Sequence, residues 1–167
     1  MGVSGSGKST LGALLAGKLD CPFLEGDDFH EARAVAKMSA GCPLDDDDRW
    51  PWLDRLGAAV GDALASRGLV VAACSALRRS YRERLRRAIG APARFVLLDV
   101  SPDELVRRLS QRAGHYMPVS LLDSQLATLE RPDADEGVFT LDAVAGPEQL
   151  CEIAHAWLTD KALASGH

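Results

Sequence analysis

The first ten residues contain a pattern that is suited to binding phosphate. Gly2, Gly7, Lys8 and Ser9 fit the spacing G-x-x-x-x-G-K-[ST], in which the N–H groups of a glycine-rich loop surround phosphate oxygens at the start of a helix. The lysine of this pattern reaches the β and γ phosphates, and the serine hydroxyl binds Mg²⁺. The alternative is a flexible glycine-rich turn. The pattern predicts a nucleotide site formed by Gly2, Gly5, Ser6, Gly7, Lys8, Ser9 and Thr10.

A carboxylate that completes the metal site is expected at the end of a strand. The apolar segment 69–75 ends without an acid, whereas Asp27 and Asp28 directly follow the apolar segment 21–25. Strands of one parallel sheet present their C-terminal ends at the same edge, so Asp27 would lie beside the phosphate loop. We therefore predict Ser9 and Asp27 as metal ligands. The alternative is that Asp27 and Asp28 only cap the next helix.

The elements that must position these residues alternate along the chain. Apolar, β-branched runs bounded by turn residues predict strands, and stretches with helical periodicity and start signals predict helices between them. This alternation is typical of an α/β fold with a mostly parallel sheet. The predicted strands are 21–25, 69–74, 94–100 and 138–141, and the predicted helices are 8–19, 48–67, 78–89, 102–112, 118–129 and 147–163.

Length and composition favour one soluble domain over residues 1–167. The chain has 47% hydrophobic residues and a net charge of −5, a combination that argues against disorder and against a general nucleic-acid binder. No apolar run approaches the roughly 20 residues that span a bilayer. The four cysteines form no C-x-x-C pair, so we expect reduced thiols in a cytoplasmic protein rather than a zinc site or a disulfide framework.

Two charged segments have plain interpretations. Acidic residues 45–47 are typical of a solvated turn at a helix N-terminus, where carboxylates complement the helix dipole. The six arginines within residues 78–87 are typical of a solvated helix face, although such a concentration also occurs in RNA-binding segments. Within this run only Arg78, which directly follows a strand and its turn, is predicted to face a substrate.

Taken together, several segments resemble the small P-loop gluconokinases, which are relatives of shikimate kinase and the nucleoside monophosphate kinases. The resemblance implies a P-loop NTPase fold with three α/β/α layers, and transfer of a phosphoryl group from ATP, with Mg²⁺, to the 6-hydroxyl of D-gluconate. It also implies a cytoplasmic enzyme that binds these small molecules and forms a homodimer. The matching segments are 1–10, 25–30, 37–53, 74–86, 112–117, 121–130 and 132–137.

The resemblance also implies roles for single residues. Asp27 would accept or position the proton of the acceptor hydroxyl. Arg49, with His30 and Lys37, would bind the acceptor, because a guanidinium can hold a carboxylate through two parallel hydrogen bonds. Arg78 would bind substrate as well; the family usually has lysine there, and arginine keeps the charge but changes the geometry.

A lid is implied over about residues 108–130. Arg112 would offset charge on the transferred phosphoryl group, and Arg108 would contact ATP near the adenine. His115 would contact the acceptor or cap a turn. The alternative is that these arginines are ordinary residues of a helix surface.

Two alternatives remain at the level of the whole chain. It could be a kinase of the same fold with another acceptor, such as shikimate or a nucleoside. It could also be a nucleotide-binding protein that no longer transfers phosphate. In the proteins that this chain resembles, the phosphate loop follows a buried central strand, and no such segment precedes Met1; we therefore expect that strand to be missing from this chain.

Overall fold

The computed structural model describes residues 1–111 and 120–164, except for the side chains of residues 120 and 161–164. Helices and strands alternate along these residues. No helix in the described parts of the chain is long and apolar enough to cross a membrane. The elements are α1 (Lys8–Lys18), β1 (Phe23–Glu25), α2 (Ala32–Ser39), α3 (Asp46–Arg67), β2 (Val71–Ala73), α4 (Arg79–Ile89), β3 (Val96–Asp99), α5 (Pro102–Ser110), α6 (Ser120–Thr128), β4 (Phe139–Asp142) and α7 (Pro147–Ala164).

The described strands form two parallel pairs. Strand β1 pairs with β2, with Phe23 opposite Val71, and β3 pairs with β4, with Val96 opposite Phe139. Parallel strands require long crossover connections, which the helices supply here. The predicted α/β class with parallel strands is therefore confirmed.

The backbone at Met1 and Gly2 lies between the two pairs of strands. The N–H of Gly2 donates to the Ser75 carbonyl over 3.1 Å, and the N–H of Leu98 donates to the Met1 carbonyl over 3.0 Å. Within residues 1–111 and 120–164 no strand separates β2 from β3. An apolar cavity of about 350 Å³ lies there instead, lined by α1, α3, β2 and β3.

Helices cover the strands on two sides. One apolar cluster joins α1 and α7 to β3 and β4 through residues that include Leu11, Leu98 and Leu141. A second cluster joins α3 and α4 to the end of β2 and includes Trp52 and Leu85. Helices α1 and α7 contact one another, as do α3 and α4. This arrangement has the three α/β/α layers that the family resemblance implies.

Some helix ends and one short helix differ from the predictions. Helix α3 begins at Asp46, two residues early, because the side chains of Asp45 and Asp48 each accept the other's backbone N–H in a capping box. Helix α2 was not predicted; it has only eight residues, and its N-cap Glu31 makes no side-chain bond, so the usual start signal is missing. Helix α5 ends at Ser110 rather than at residue 112.

Candidate active site

The phosphate loop has the backbone that its glycines predict. Gly2, Gly5 and Gly7 have φ angles of 140°, 81° and 98°, which residues with a Cβ rarely adopt. Gly7 is the N-cap of α1 and has no side chain that could cap the helix. The first N–H groups of α1 are therefore directed at the loop, where an anion would meet them and the positive end of the helix dipole.

Lys8 lies across this loop. Its Nζ donates to the Val3 carbonyl over 3.0 Å, and its side chain lines a pocket together with Ser4. The ammonium group is thus held at the mouth of the predicted phosphate site. This position fits the predicted role of Lys8 toward the β and γ phosphates.

The pocket beside Lys8 brings together residues that are distant in sequence. It has a volume of about 50 Å³ and is walled by the phosphate loop, the turn after β1, α3, α4 and α6. Of the residues predicted to act on the acceptor or its phosphate, four line it: Lys8, Asp27, His30 and Arg49.

Asp27 reaches this pocket from a tight turn after β1. The segment Gly26–Phe29 forms a single 3-10 turn, and Gly26 packs so closely on β2 that a Cβ would lie 2.3 Å from the Ala73 carbonyl oxygen. Trp52 of α3 secures the turn by donating its Nε1 hydrogen to the Gly26 carbonyl over 2.7 Å. A glycine is therefore required before Asp27 for the carboxylate to face the phosphate loop.

Asp27 and Asp28 do not cap the next helix, which was the alternative to a role in the site. The N-cap of α2 is Glu31, and it makes no side-chain capping bond. Asp28 is exposed, whereas Asp27 lines the pocket. The two neighbouring carboxylates therefore have different surroundings, and of the two it is Asp27 that lines the pocket.

His30 is held as a neutral imidazole. Its ring stacks on Trp52, with centroids 4.2 Å apart and planes at 14°. Burial lowers the pKa of His30 to about 4, against the opposing effect of Asp27, and the cations Arg55 and Arg49 lower it further. Its Nδ1 is buried without a hydrogen-bond partner among the described residues. A neutral ring with an available nitrogen can bond a hydroxyl group of a substrate.

Two arginines share one carboxylate next to the pocket. Nη1 of Arg49 donates to the Tyr81 hydroxyl over 3.2 Å, and Nη1 of Arg78 lies 3.2 Å from both carboxylate oxygens of Asp46. The Tyr81 hydroxyl donates to Asp46 as well. The cluster Arg49, Arg78, Asp46 and Tyr81 keeps one excess positive charge, which favours an anionic group in the pocket.

This cluster corrects one interpretation and qualifies another. Asp46 is not merely a solvated acid at a helix start, since it binds Tyr81 and Arg78. Arg78 does not line the pocket, which Arg49 does. A direct contact between Arg78 and substrate stays a prediction; in this structure Arg78 binds the Asp46 carboxylate.

Lys37 lies outside the pocket wall. Its Nζ donates to Asp45 over 2.9 Å and to Asp48 over 2.5 Å. The hydrogen bonds that Lys37 donates to Asp48 and Asp45 raise the pKa of Lys37, and Lys37 in turn holds the pKa of the Asp48 carboxyl well below its usual range. Contact with a substrate, which stays a prediction, would require these ion pairs to open.

Of the predicted lid residues Arg108, Arg112 and His115, the structure describes Arg108. Arg108 lies against the phosphate loop: its Nη1 is 3.5 Å from the Ser6 carbonyl, and its Nη2 donates to the Ala143 carbonyl after β4 over 2.7 Å. This position is compatible with a contact to ATP. Arg112 and His115 lie outside the described residues, so their roles stay predictions.

One arginine of α4 is buried, contrary to the prediction of a solvated face. The Arg82 side chain is 0% exposed and pairs with Glu136, which is 2% exposed, over 2.6 Å. Its Nη1 also donates to the carbonyls of Ala76, Leu77 and Glu130. Other arginines of this helix are paired with acids as well, Arg84 with Asp54 and Arg79 with Asp135. The ion pairs of these arginines therefore connect α4 to neighbouring elements, and the run does not form an open basic surface.

The donors near the phosphate loop fit Mg²⁺. Ser9 is the second residue of α1 and supplies a hydroxyl, and Asp27 supplies a carboxylate at the pocket wall. No group of three or more His, Cys, Asp or Glu side chains able to hold a metal occurs in the described residues. Magnesium commonly binds through one or two protein oxygens together with substrate phosphates and water, and these two donors match that pattern.

Comparison with known proteins agrees with this geometry. The AAA domain family matches residues 1–132. The gluconokinase of Gluconobacter oxydans (strain 621H) is 47% identical over 152 residues, which cover 91% of this chain and 85% of that protein. The AAA domain match includes the phosphate loop, the turn that carries Asp27 and the helix that carries Arg49.

Two solved structures are similar over the whole chain. A gluconokinase from Sinorhizobium meliloti 1021 is 44% identical with a TM-score of 0.85, covering 100% of this chain and 95% of that one. A sugar kinase from Janibacter sp. HTCC2649 is also 44% identical, with a TM-score of 0.87, and the match covers 100% of this chain and 96% of that one. The likeness therefore extends through every element around the pocket.

Proposed function

Because the chain belongs to the gluconokinase family, we propose that it transfers the terminal phosphoryl group of ATP to the 6-hydroxyl of D-gluconate, giving 6-phospho-D-gluconate and ADP. The observation that carries this proposal is the pocket in which Lys8 of the phosphate loop meets Asp27 and Arg49. In this proposal Lys8 binds the phosphates of ATP and Asp27 orients the attacking hydroxyl group. Arg49 binds the carboxylate of the acceptor.

The charges around the pocket support a sugar acid as the acceptor. Arg49 is on the wall, only 14% of its side chain is exposed, and the Asp46 carboxylate nearby is shared with Arg78. A substrate carboxylate would neutralise the remaining charge and form charge-assisted hydrogen bonds. Neutral His30 offers its ring nitrogen to a hydroxyl group of the same molecule.

Catalysis rests on position and charge, without a covalent intermediate. Asp27 orients the acceptor hydroxyl and takes its proton as the bond to phosphorus forms. Lys8, with Arg108 and Arg112, offsets the charge on the phosphoryl oxygens, and the N–H groups at the start of α1 hold the remaining phosphates. Ser9 and Asp27 would hold Mg²⁺, which neutralises the β and γ phosphates when it is bound.

The acceptor is tested directly by steady-state assays with ATP and a panel of sugar acids, shikimate and nucleosides. We expect turnover with D-gluconate and far lower kcat/KM with the others. Activity confined to shikimate or to a nucleoside would refute the proposed acceptor. Binding of ATP in calorimetry without gluconate-dependent release of ADP would refute catalysis itself.

Three further expectations accompany this proposal. Residues 1–167 form one domain, with a lid over about residues 108–130. The enzyme is cytoplasmic and forms a homodimer. Light scattering coupled to size-exclusion chromatography tests the dimer, since a monomeric mass at assay concentrations contradicts it.

A further inference from the structure

Helix α6 forms one wall of the pocket, and no role has been given to any of its residues so far. Leu121, Ser124 and Gln125 of this helix line the pocket together with residues of the phosphate loop and the turn of Asp27. An acceptor in the pocket would therefore lie beside α6 as well as beside the groups that act on it.

Gln125 joins this helix to the phosphate loop. The backbone N–H of Ser4 donates to its Oε1 over 2.6 Å, across 121 residues of sequence. Ser4 is 8% exposed, so a N–H there needs an acceptor. Because the N–H requires an oxygen, this bond also fixes the orientation of the Gln125 amide group.

Apolar contacts hold the same helix on either side of Gln125. Leu121 packs with Met38 of α2 and with Leu44, which precedes α3. Leu122 packs in the cluster that contains Val3 of the phosphate loop and Leu11 of α1. Helix α6 thus contacts both the elements on the acceptor side and the elements on the donor side.

We propose that Gln125 is a positioning residue for phosphoryl transfer, which fixes the phosphate loop at Ser4 relative to the acceptor hydroxyl beside Asp27. The acceptor named here rests on the proposed function. In a reaction that depends on alignment, a displacement of about 1 Å lowers the rate roughly 10²-fold. Losing the bond to Ser4 removes the hydrogen bond that holds the loop to α6, whereas the apolar contact of Leu122 with the same cluster as Val3 remains.

The test replaces Gln125 with methionine, which has the same length but accepts no hydrogen bond of comparable strength. We expect Gln125→Met to lower kcat about 10- to 100-fold, with KM values for ATP and gluconate within a few-fold of the original. The share of ATP hydrolysed without phosphorylating gluconate should rise. The matched control is Gln149→Met on the exposed face of α7, which should leave kcat, both KM values and the product ratio unchanged.

A kcat within twofold of the original, with an unchanged product ratio, would overturn the proposal. If Gln125→Met does not fold by circular dichroism, Gln125→Glu carries the test, because its carboxylate can still accept from Ser4 but adds negative charge beside the phosphates. Since the bond to Ser4 is kept, we then expect kcat within a few-fold of the original and a raised KM for ATP, and a kcat lowered tenfold or more would overturn the proposal. If the unmodified protein uses an acceptor other than gluconate, only the proposed function fails, and Gln125 is tested with that acceptor.

Discussion

The charge on Lys8 is directed at a backbone carbonyl in this structure, and a phosphate would be a stronger partner for it. The ammonium is already within the loop, 3.0 Å from the Val3 oxygen, so binding of a nucleotide requires only a local change of partner. Such preorganised charge is usually the largest single contribution to transferring a charged group.

Lys8→Ala should therefore lower kcat about 10³-fold, because nothing else in the loop replaces this charge. The matched control is Lys18→Ala, at the other end of α1, where the ammonium pairs with exposed Glu152. That variant should retain its activity. Coupled-enzyme assays of ADP release measure both, and a Lys8→Ala kcat within tenfold of the original contradicts the proposed role.

His30 makes stability depend on pH in a defined window. The pKa of His30 is lowered from 6.5 to about 4 in the folded protein. Between these two pH values the imidazole is protonated in the unfolded chain but remains neutral in the folded protein. The free energy of unfolding should fall as the pH decreases from about 6.5 toward 4. In His30→Gln this part of the fall should be absent. Urea unfolding at several pH values measures the free energy of unfolding of both proteins. The same dependence of this free energy on pH in both would exclude the contribution of His30.

Residue types and spacing were enough to predict the groups nearest to the phosphates and the acceptor hydroxyl. The other residues of the site have positions that depend on tertiary contacts. The G-x-x-x-x-G-K-[ST] spacing and the carboxylate after β1 have local causes, so Lys8 and Asp27 could be predicted. The roles of Tyr81 and Gln125 depend on partners more than 30 residues away, which no local pattern contains. For Arg82 a signal existed, since it lies three residues before buried Leu85 and seven before Ile89, on the apolar face of α4.

At the scale of elements, the close approach of α3 and α4 positions Arg49 and Tyr81. Gly57 of α3 packs on Ala88 of α4, and a Cβ at Gly57 would lie 2.4 Å from the Cβ of Ala88. The lack of a side chain therefore sets the distance between the two helices. Helix propensity alone would favour alanine at this position by about 1 kcal/mol.

Gly57→Ala should nevertheless lower the free energy of unfolding by about 1 to 3 kcal/mol, because overpacking outweighs the gain in propensity. It should also raise KM for gluconate as Arg49 and Tyr81 separate. The matched control is Gly17→Ala in α1, where a Cβ would meet nothing within 4 Å, and which should be neutral or slightly stabilising. Denaturant titrations compare the two, and equal stabilities would rule out the packing argument.

Elements were easier to predict than their ends. The alternation of apolar runs and helical periodicity gave the order of the strands and of six helices, because those patterns reflect burial on one face. The exact start of α3 depends on the side chains of Asp45 and Asp48 acting as a pair. Helix α2 lacks such a cap, and its short apolar face packs on α6 through Leu121, a contact that local periodicity does not reveal.

At the scale of the whole molecule, Arg82 connects three separate parts of the chain. Its guanidinium lies between the turn after β2, the segment after α6 and Glu136 before β4. All five N–H groups of a guanidinium can be used in such a position. The segment that returns from α6 to the sheet is thus fixed to the same turn that leads into α4.

Glu136→Gln should lower the free energy of unfolding by about 3 kcal/mol, because it leaves the Arg82 charge buried without its counter-ion. The matched control is Asp135→Asn, one residue away, whose partner Arg79 is exposed and whose loss should have little effect. Thermal and denaturant unfolding compare the variants. Equal stabilities would mean that the buried pair contributes no more than a surface pair.

The volume of the pocket has a kinetic consequence. The pocket is small, about 50 Å³, and its walls come from separate elements of the chain. We therefore expect the association of a six-carbon acid to include a movement of these walls. The observed rate of gluconate binding should then level off at high concentration instead of rising linearly. Trp52, which lies on the wall, provides the fluorescence signal for a stopped-flow measurement of that plateau.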